Sequence, residues 1–376
     1  MSRTPASVVE LAQDLVRIPS VNPDGDPGTD RTGEEACAVY LHDFLASLGA
    51  EPHLEEVERG RPNVVARFPS TGPKPKLLFA PHTDTVSVAG MSIDPFGGEL
   101  REGKLYGRGA TDTKGPTASM LWALRECRDI LPLLTHEIWF AGLMGEEAGQ
   151  DGAKALAKKE TFDFVIVGEP TGLEVVYKHK VDVIARIVAT GSSAHSSCPE
   201  RGENAITKLA SGLLSLQETL TDYFKKIEDP VLGHPTFSIG TIRGGTKFNI
   251  VPDHAEAVID LRLLPSQWKQ EQAKEVFEVM KTACPGLGVE RIAGSQALDT
   301  NPSHPLIAKL GTVGGRPAGA AWFCDAAVFC SRGMPAVAVG PGSIAQAHTE
   351  DEFIAVADLE GGVEFFKKFL RSLRVG

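Results

Sequence analysis

The sequence predicts an α/β fold: a helix-covered, mostly parallel sheet, with a smaller α+β domain inserted into the chain. Three features predict it. Short unbroken apolar runs, Leu77-Leu78-Phe79-Ala80, Ile138-Trp139-Phe140-Ala141, Phe164-Val165-Ile166-Val167 and Ala336-Val337-Ala338-Val339, have the texture of strands buried on both faces. Helical stretches separate them, as around Met120 to Ile130. The middle third differs, because residues 181–190 and 255–262 alternate in and out like antiparallel strands with one wet face, and Ala205, Leu209, Leu213, Leu214 and Leu216 form a helical pattern between them. A chain of 376 residues also exceeds the size at which one core keeps growing. The expected division is therefore a main domain of residues 1–175 and 292–376, interrupted by an α+β domain of residues 176–291.

The N-terminal elements are set by spacing. Val8, Leu11, Leu15 and Ile18 recur at helical intervals behind Ser7, Glu10 completes a capping-box pattern, and Pro19 closes the helix. A second pattern, Val39, Leu41, Phe44, Leu45 and Leu48, ends at Gly49, a C-cap glycine. The Gly/Pro-rich stretch of residues 22–33 reads as a long loop. Composition, at 42% apolar and 23% charged, is that of a soluble globular chain. A net charge of −11 without a local Lys/Arg cluster lacks the footprint of a nucleic-acid binder. Cys37, Cys127, Cys198, Cys284, Cys324 and Cys330 form no CxxC pair, so reduced thiols are expected. With no apolar leader segment and no run near the ~18 residues of a membrane span, the expected location is cytoplasmic, without a membrane partner.

The residues just past the apolar runs carry the chemistry. The chain delivers His82-Thr83-Asp84, then Glu146-Glu147, then Glu169 before Pro170, and finally His348, each a few residues past a strand end. The carboxyl ends of parallel strands are where α/β sheets bind ligands. A His two residues before an Asp puts an imidazole beside a carboxylate able to orient it, although an isolated pair of this kind is as readily a solvated turn. Asp112, in the glycine-flanked turn from Gly107 to Gly115, is placed to bridge two cations or to cap a helix. Glu146 and Glu147 point in different directions, so one is free to ligate a metal while the other handles a proton. Singly, each of these residues reads equally well as solvated charge. Their order along the chain is what counts.

That order, running from Ile18-Pro19-Ser20-Val21-Asn22-Pro23 to Ala347-His348-Thr349-Glu350-Asp351-Glu352, resembles the metal-dependent amidohydrolases and peptidases that include acetylornithine deacetylase, succinyl-diaminopimelate desuccinylase, aminoacylase and a glutamate carboxypeptidase. The resemblance implies two divalent ions, zinc first and cobalt or manganese as substitutes. His82 and Glu169 would hold one ion and Glu147 and His348 the other. Asp112 would bridge them through a cis peptide to the next residue, Glu146 would be the general acid/base, and Asp84 would orient His82. It further implies that the inserted domain dimerises, that His195 within Ala194-His195-Ser196-Ser197 supports the oxyanion in the partner's site, and that Asn249 and Arg262 contact a substrate carboxylate. Read from residues alone, Asn249 and Arg262 are equally a turn residue and a strand-end charge. Phe323-Cys324-Asp325-Ala326-Ala327 and the run from Gly340 to His348 lie nearest the acetylornithine deacetylases, although those enzymes often carry Glu where this chain has Asp325. The implied reaction is hydrolysis of the amide bond of a small-molecule N-acyl amino acid, N-acetylornithine first. N-succinyl-diaminopimelate, or a peptide cleaved by a dipeptidase or carboxypeptidase on the same scaffold, is the alternative.

Overall fold

In the computed structural model, which describes residues 5–269 and 273–374, the four apolar runs form the centre of one sheet. Seven of its nine strands lie in the order Glu51–Glu58, Arg61–Arg67, Glu137–Gly142, Lys76–Phe79, Phe164–Val167, Ala336–Ala338 and Val175–His179. The four central strands are mutually parallel, and antiparallel strands flank them. Phe79, Phe140, Phe164 and Ile166 are fully buried in a core shared with helices Val8–Arg17, Glu35–Ser47, Lys114–Cys127 and Val356–Ser372. The expected architecture is observed: a mostly parallel, helix-covered sheet, with separate antiparallel sheets.

Local signals account for the helix ends. Ser7 Oγ accepts the Glu10 N–H at 3.1 Å, and Gly49, at φ +83°, comes after the helix Glu35–Ser47. The hairpin Glu51–Glu58/Arg61–Arg67 has no counterpart among the apolar runs. Its outer strand lies at the sheet edge, leaves most of its side chains exposed, and is rich in Glu, so no continuous apolar run was needed there.

The chain divides into two units. The first comprises Met1–Tyr177, Thr300–Ala318 and Cys324–Gly376; the second comprises Lys178–Asp299 and Gly319–Phe323. The first also carries a small sheet ordered Phe353–Ala355, Lys104–Tyr106, Glu99–Arg101. In the second, four antiparallel strands are ordered Thr236–Gly244, His254–Leu263, Val181–Thr190, Gly288–Gly294. Alternation is strict in its two central strands: Val181, Val183, Ala185, Ile187 and Ala189, with Ala255, Ala257, Ile259, Leu261 and Leu263, face a core completed by Ala205–Phe224 and Lys274–Ala283. No described helix is long and apolar enough to cross a membrane.

Candidate metal centre

Because the central strands run the same way, their carboxyl ends share one edge. His82 comes after Lys76–Phe79, Glu146 and Glu147 after Glu137–Gly142, and Glu169 after Phe164–Val167. Asp112 arrives on the turn before helix Lys114–Cys127, joined to Thr113 by a cis peptide bond. His348 arrives on the loop after Ala336–Ala338, with a left-handed backbone at φ +63°.

These side chains converge. His82 Nε2 lies 3.1 Å from Asp112 Oδ1, while His348 Nε2 lies 3.3 Å from Asp112 Oδ2 and 3.4 Å from Glu147 Oε2. Three donor triads have ligand atoms within 4.8 Å of one another: His82, Asp112 and Glu169; Asp112, Glu147 and His348; His82, Glu146 and Glu147. Asp112, His82 and Glu147 each belong to two of these triads, and Asp112 is the one common to the triad with Glu169 and the triad with His348. His82, Asp112, Glu146 and Glu169 are buried, whereas the His348 side chain is 54% exposed.

Asp84 is fully enclosed and meets four neighbours. Its main-chain carbonyl is 3.0 Å from His82 Nδ1 and its carboxylate Oδ1 is 3.4 Å away, so the imidazole meets the backbone first. The carboxylate itself accepts the N–H groups of Glu146 (3.0 Å) and Glu147 (3.1 Å) and the amide of Asn22 (2.8 Å). Behind the same loop, Asn63 accepts from Met144 N–H and donates to Gly152 C=O, both at 3.0 Å.

The electrostatics of the cluster are those of crowded acid in a dry place. Burial pushes the carboxyls of Glu146 and Glu169 well above the usual range and raises Glu147. Asp325, fully buried, is pushed up to about 7 by the same cause. His348 rises to about 10 through its hydrogen bonds to Asp112 and Glu147. Burial opposes a charge on His82, but Asp112 and Asp84 lift it well above its ordinary value. Asp112 is held well below the carboxylate range, against its burial, by His348 and His82. Glu147 Oε1 and Glu169 Oε1 are buried without a hydrogen-bond partner. Buried carboxylates without partners are costly unless a cation meets them, and nitrogen and oxygen donors at this spacing suit divalent ions of the zinc, cobalt or manganese type. The residues fit a metal.

His195, Asn249 and Arg262 belong to the second unit. His195 bridges Ile250 through the main chain, and Ser196 N–H donates to Asn249 C=O at 3.1 Å, which sets the first two side by side. Nδ1 of His195 accepts the Ser197 N–H at 3.2 Å, so a neutral ring carries its proton on Nε2 and presents a donor. Arg262 is already engaged: its Nε and Nη2 both bond the Asp260 carboxylate at 2.9 Å, and its guanidinium stands over the Phe323 ring.

Sequence reasoning missed several supports. Asn63, Gln150, Asp325 and the buried Glu34–Arg61 pair (2.7 Å) surround the Glu146–Glu147 loop or its charge, and Glu352 holds the Asp112 turn. Glu352, directly ahead of the apolar stretch Phe353-Ile354-Ala355, was the one with a local signal.

Fold and donor cluster together define the class, a hydrolase of the metallopeptidase type. The chain belongs to peptidase family M20/M25/M40, whose profile matches residues 78–372. It is similar to acetylornithine deacetylase of Proteus mirabilis, at 34% identity over 94% of this chain and 93% of that one. Among solved structures it resembles aminopeptidase PepT of Bacillus cereus (TM-score 0.75, 23% identity, 97% of this chain and 98% of that one). It also resembles the YXEP protein of Bacillus subtilis, described as a dinuclear metal-binding peptidase (TM-score 0.67, 15% identity, 97% of each).

Proposed function

We propose that this chain hydrolyses the amide bond of an N-acyl amino acid, with N-acetylornithine as the leading substrate, using two zinc ions. The observation that carries the reading is Asp112, shared by two donor triads at the edge of a parallel sheet. His82 and Glu169 would complete one ion's shell, and Glu147 and His348 the other's. When bound, the ions supply Lewis-acid polarisation of the amide carbonyl and acidify water. Glu146, beside them and not needed as a ligand, takes the proton of the attacking water and returns it to the departing amine. Asp84 holds His82 with one part of its structure and the Glu146–Glu147 loop with another.

The second unit takes the remaining roles. Residues 176–291 act as a dimerisation and lid domain. His195 of a second copy offers Nε2–H to the developing oxyanion, an interaction worth about 2.7–4 kcal/mol in other hydrolases. Asn249 and Arg262 bind the substrate carboxylate; because Asp260 occupies the Nε and Nη2 edge of Arg262, the substrate would be met from its Nη1 side. A cytoplasmic enzyme fits the free state of the cysteines.

The test is a panel of kcat/KM values for zinc-loaded protein on N-acetylornithine, N-succinyl-diaminopimelate, other N-acetyl amino acids and dipeptides. A preference of about a hundredfold for N-acetylornithine, close to 3 kcal/mol, supports the substrate. A flat profile, or a preference for dipeptides, removes the substrate and leaves the hydrolytic centre standing.

A further inference from the structure

One buried carboxylate ties the loop that bears His348 to the turn that bears Asp112. Glu352 is fully buried. Its Oε1 accepts the N–H groups of Thr111 (2.9 Å) and Asp112 (3.0 Å); its Oε2 accepts the N–H of Gly109 (3.0 Å) and a guanidinium N–H of Arg108 (2.7 Å). Arg108, also buried, reaches on to the carbonyls of Ser87 (3.0 Å) and Thr349 (3.3 Å), the latter adjoining His348. The Gly107 N–H donates to the Glu352 carbonyl at 3.0 Å. Immediately afterwards Phe353–Ala355 pairs antiparallel with Lys104–Tyr106, so both segments run out of one small sheet.

The chemistry of this cradle asks for an anion. Main-chain N–H groups of a turn with Gly109 at φ +83° converge on one point, an arrangement that binds negative charge. An ionised carboxylate only accepts, and the bonds here are charge-assisted. Glutamine has nearly the same shape, but its NH2 would face N–H donors. The two tethered segments also differ in how else they are held. The Asp112 turn is pinned a second time, by a hydrogen bond from Thr113 Oγ1 to Gly168 C=O. His348 sits in an exposed loop at φ +63°, a conformation that persists in a residue other than glycine only when its surroundings impose it.

We propose that Glu352 is a positioning residue for the second ion: it fixes the His348 loop against the Asp112 turn so that the triad Asp112, Glu147 and His348 closes on a divalent cation. The inference rests on the two-ion reading above. It concerns the outer ion, the one beside the exposed His348, more than the inner one, because the shared Asp112 turn keeps its bond from Thr113 to Gly168, and His82 and Glu169 lie on segments that Glu352 does not touch.

The experiment is titration of Zn2+ or Co2+ into metal-free full-length protein, wild type and Glu352→Gln, with bound metal counted by equilibrium dialysis. His348→Ala identifies which binding phase belongs to the outer ion. In Glu352→Gln that phase weakens about 10–100-fold, the size seen when partners behind metal ligands are removed, and the other phase stays within about threefold. Both phases at wild-type affinity, or both weakened alike, would overturn the proposal. Should Glu352→Gln not fold, Glu352→Asp keeps the charge one methylene short of the donors. It is expected to show the same selective loss, and wild-type affinity in both of its phases sinks the idea. A wild-type chain that binds fewer than two ions removes the two-ion reading, and this inference with it. Two ions in the wild type and unaltered binding in the variants removes only the role of Glu352.

Discussion

Glu146 is 8% exposed, and burial, opposed by His82 but assisted by Glu169, Asp325 and Glu147, lifts its carboxyl well above the ordinary range. A carboxyl whose proton affinity is raised in this way is suited to take and return a proton. Glu146→Gln should therefore reduce kcat by about 10²–10⁴-fold while metal content, counted on the purified protein, stays near wild type. Lost metal with retained turnover would exchange the roles given to Glu146 and Glu147. Asp84→Asn tests a different task. Its carboxylate accepts two main-chain N–H groups and the Asn22 amide, so an amide there turns a donor toward donors and leaves one of them unmet in a dry site. The expected loss in kcat/KM is about 10–100-fold, with weaker metal binding alongside. For His348 the sign of the proton linkage is set by its rise to about 10. The metal-free folded protein keeps that proton from its unfolded value near 6.5 up to about 10, so the stability His348 contributes is present below the lower limit and is lost as pH rises through the upper. A ligating imidazole must be neutral. Metal binding at pH 8 should accordingly release about one proton from this residue, read by calorimetry in buffers of different ionisation enthalpy.

Elements hold the centre by their ends. The loop from Met144 to Gly152 leaves a parallel strand and returns into helix Asp151–Lys159, and Asn63, on the neighbouring antiparallel strand, spans its mouth with two hydrogen bonds. Asn63→Ala leaves the buried Met144 N–H unmet, at about 1–3 kcal/mol, and takes a donor from the Gly152 carbonyl. A lower urea midpoint with unaltered m-value checks it. Gly152 meets the same constraint from the other side: a Cβ there would lie 2.4 Å from Met144 O and 2.5 Å from Asn63 Oδ1, so Gly152→Ala should destabilise by forcing the loop off its tether. The N-cap gives a smaller, cleaner case. Ser7→Ala removes the side-chain acceptor for Glu10 N–H and should cost about 1 kcal/mol, far from the centre and without effect on metal content.

For the molecule as a whole, a ligand that binds only the folded state stabilises it. Chelation should lower the melting temperature and abolish turnover together, and added Zn2+ should restore both. Turnover that survives a strong chelator would remove the mechanism. The two units have separate cores, so a variant in the second unit tests its proposed role apart from the donor cluster of the first. His195→Ala should lower kcat by about 10²–10³-fold without loss of metal.

Local pattern was enough for the architecture. An unbroken apolar run such as Phe164–Val167 encodes burial on both faces, alternation such as Val181–Thr190 encodes burial on one, and polar ligand types placed just after the parallel runs announce chemistry at a sheet edge. These signals lie within a few residues of one another, so order along the chain preserves them. The edge strand Glu51–Glu58 escaped notice because its exposed side chains leave no such trace. The supports of the site escaped for another reason. Asn63 lies 81 residues from Met144 and 89 from Gly152, and Glu352 lies 240 from Asp112. Contacts of that reach exist only once the intervening helices and strands have packed; the apolar stretch after Glu352 hints at burial, but nothing near Asn63 distinguishes a buried tether from an ordinary polar side chain.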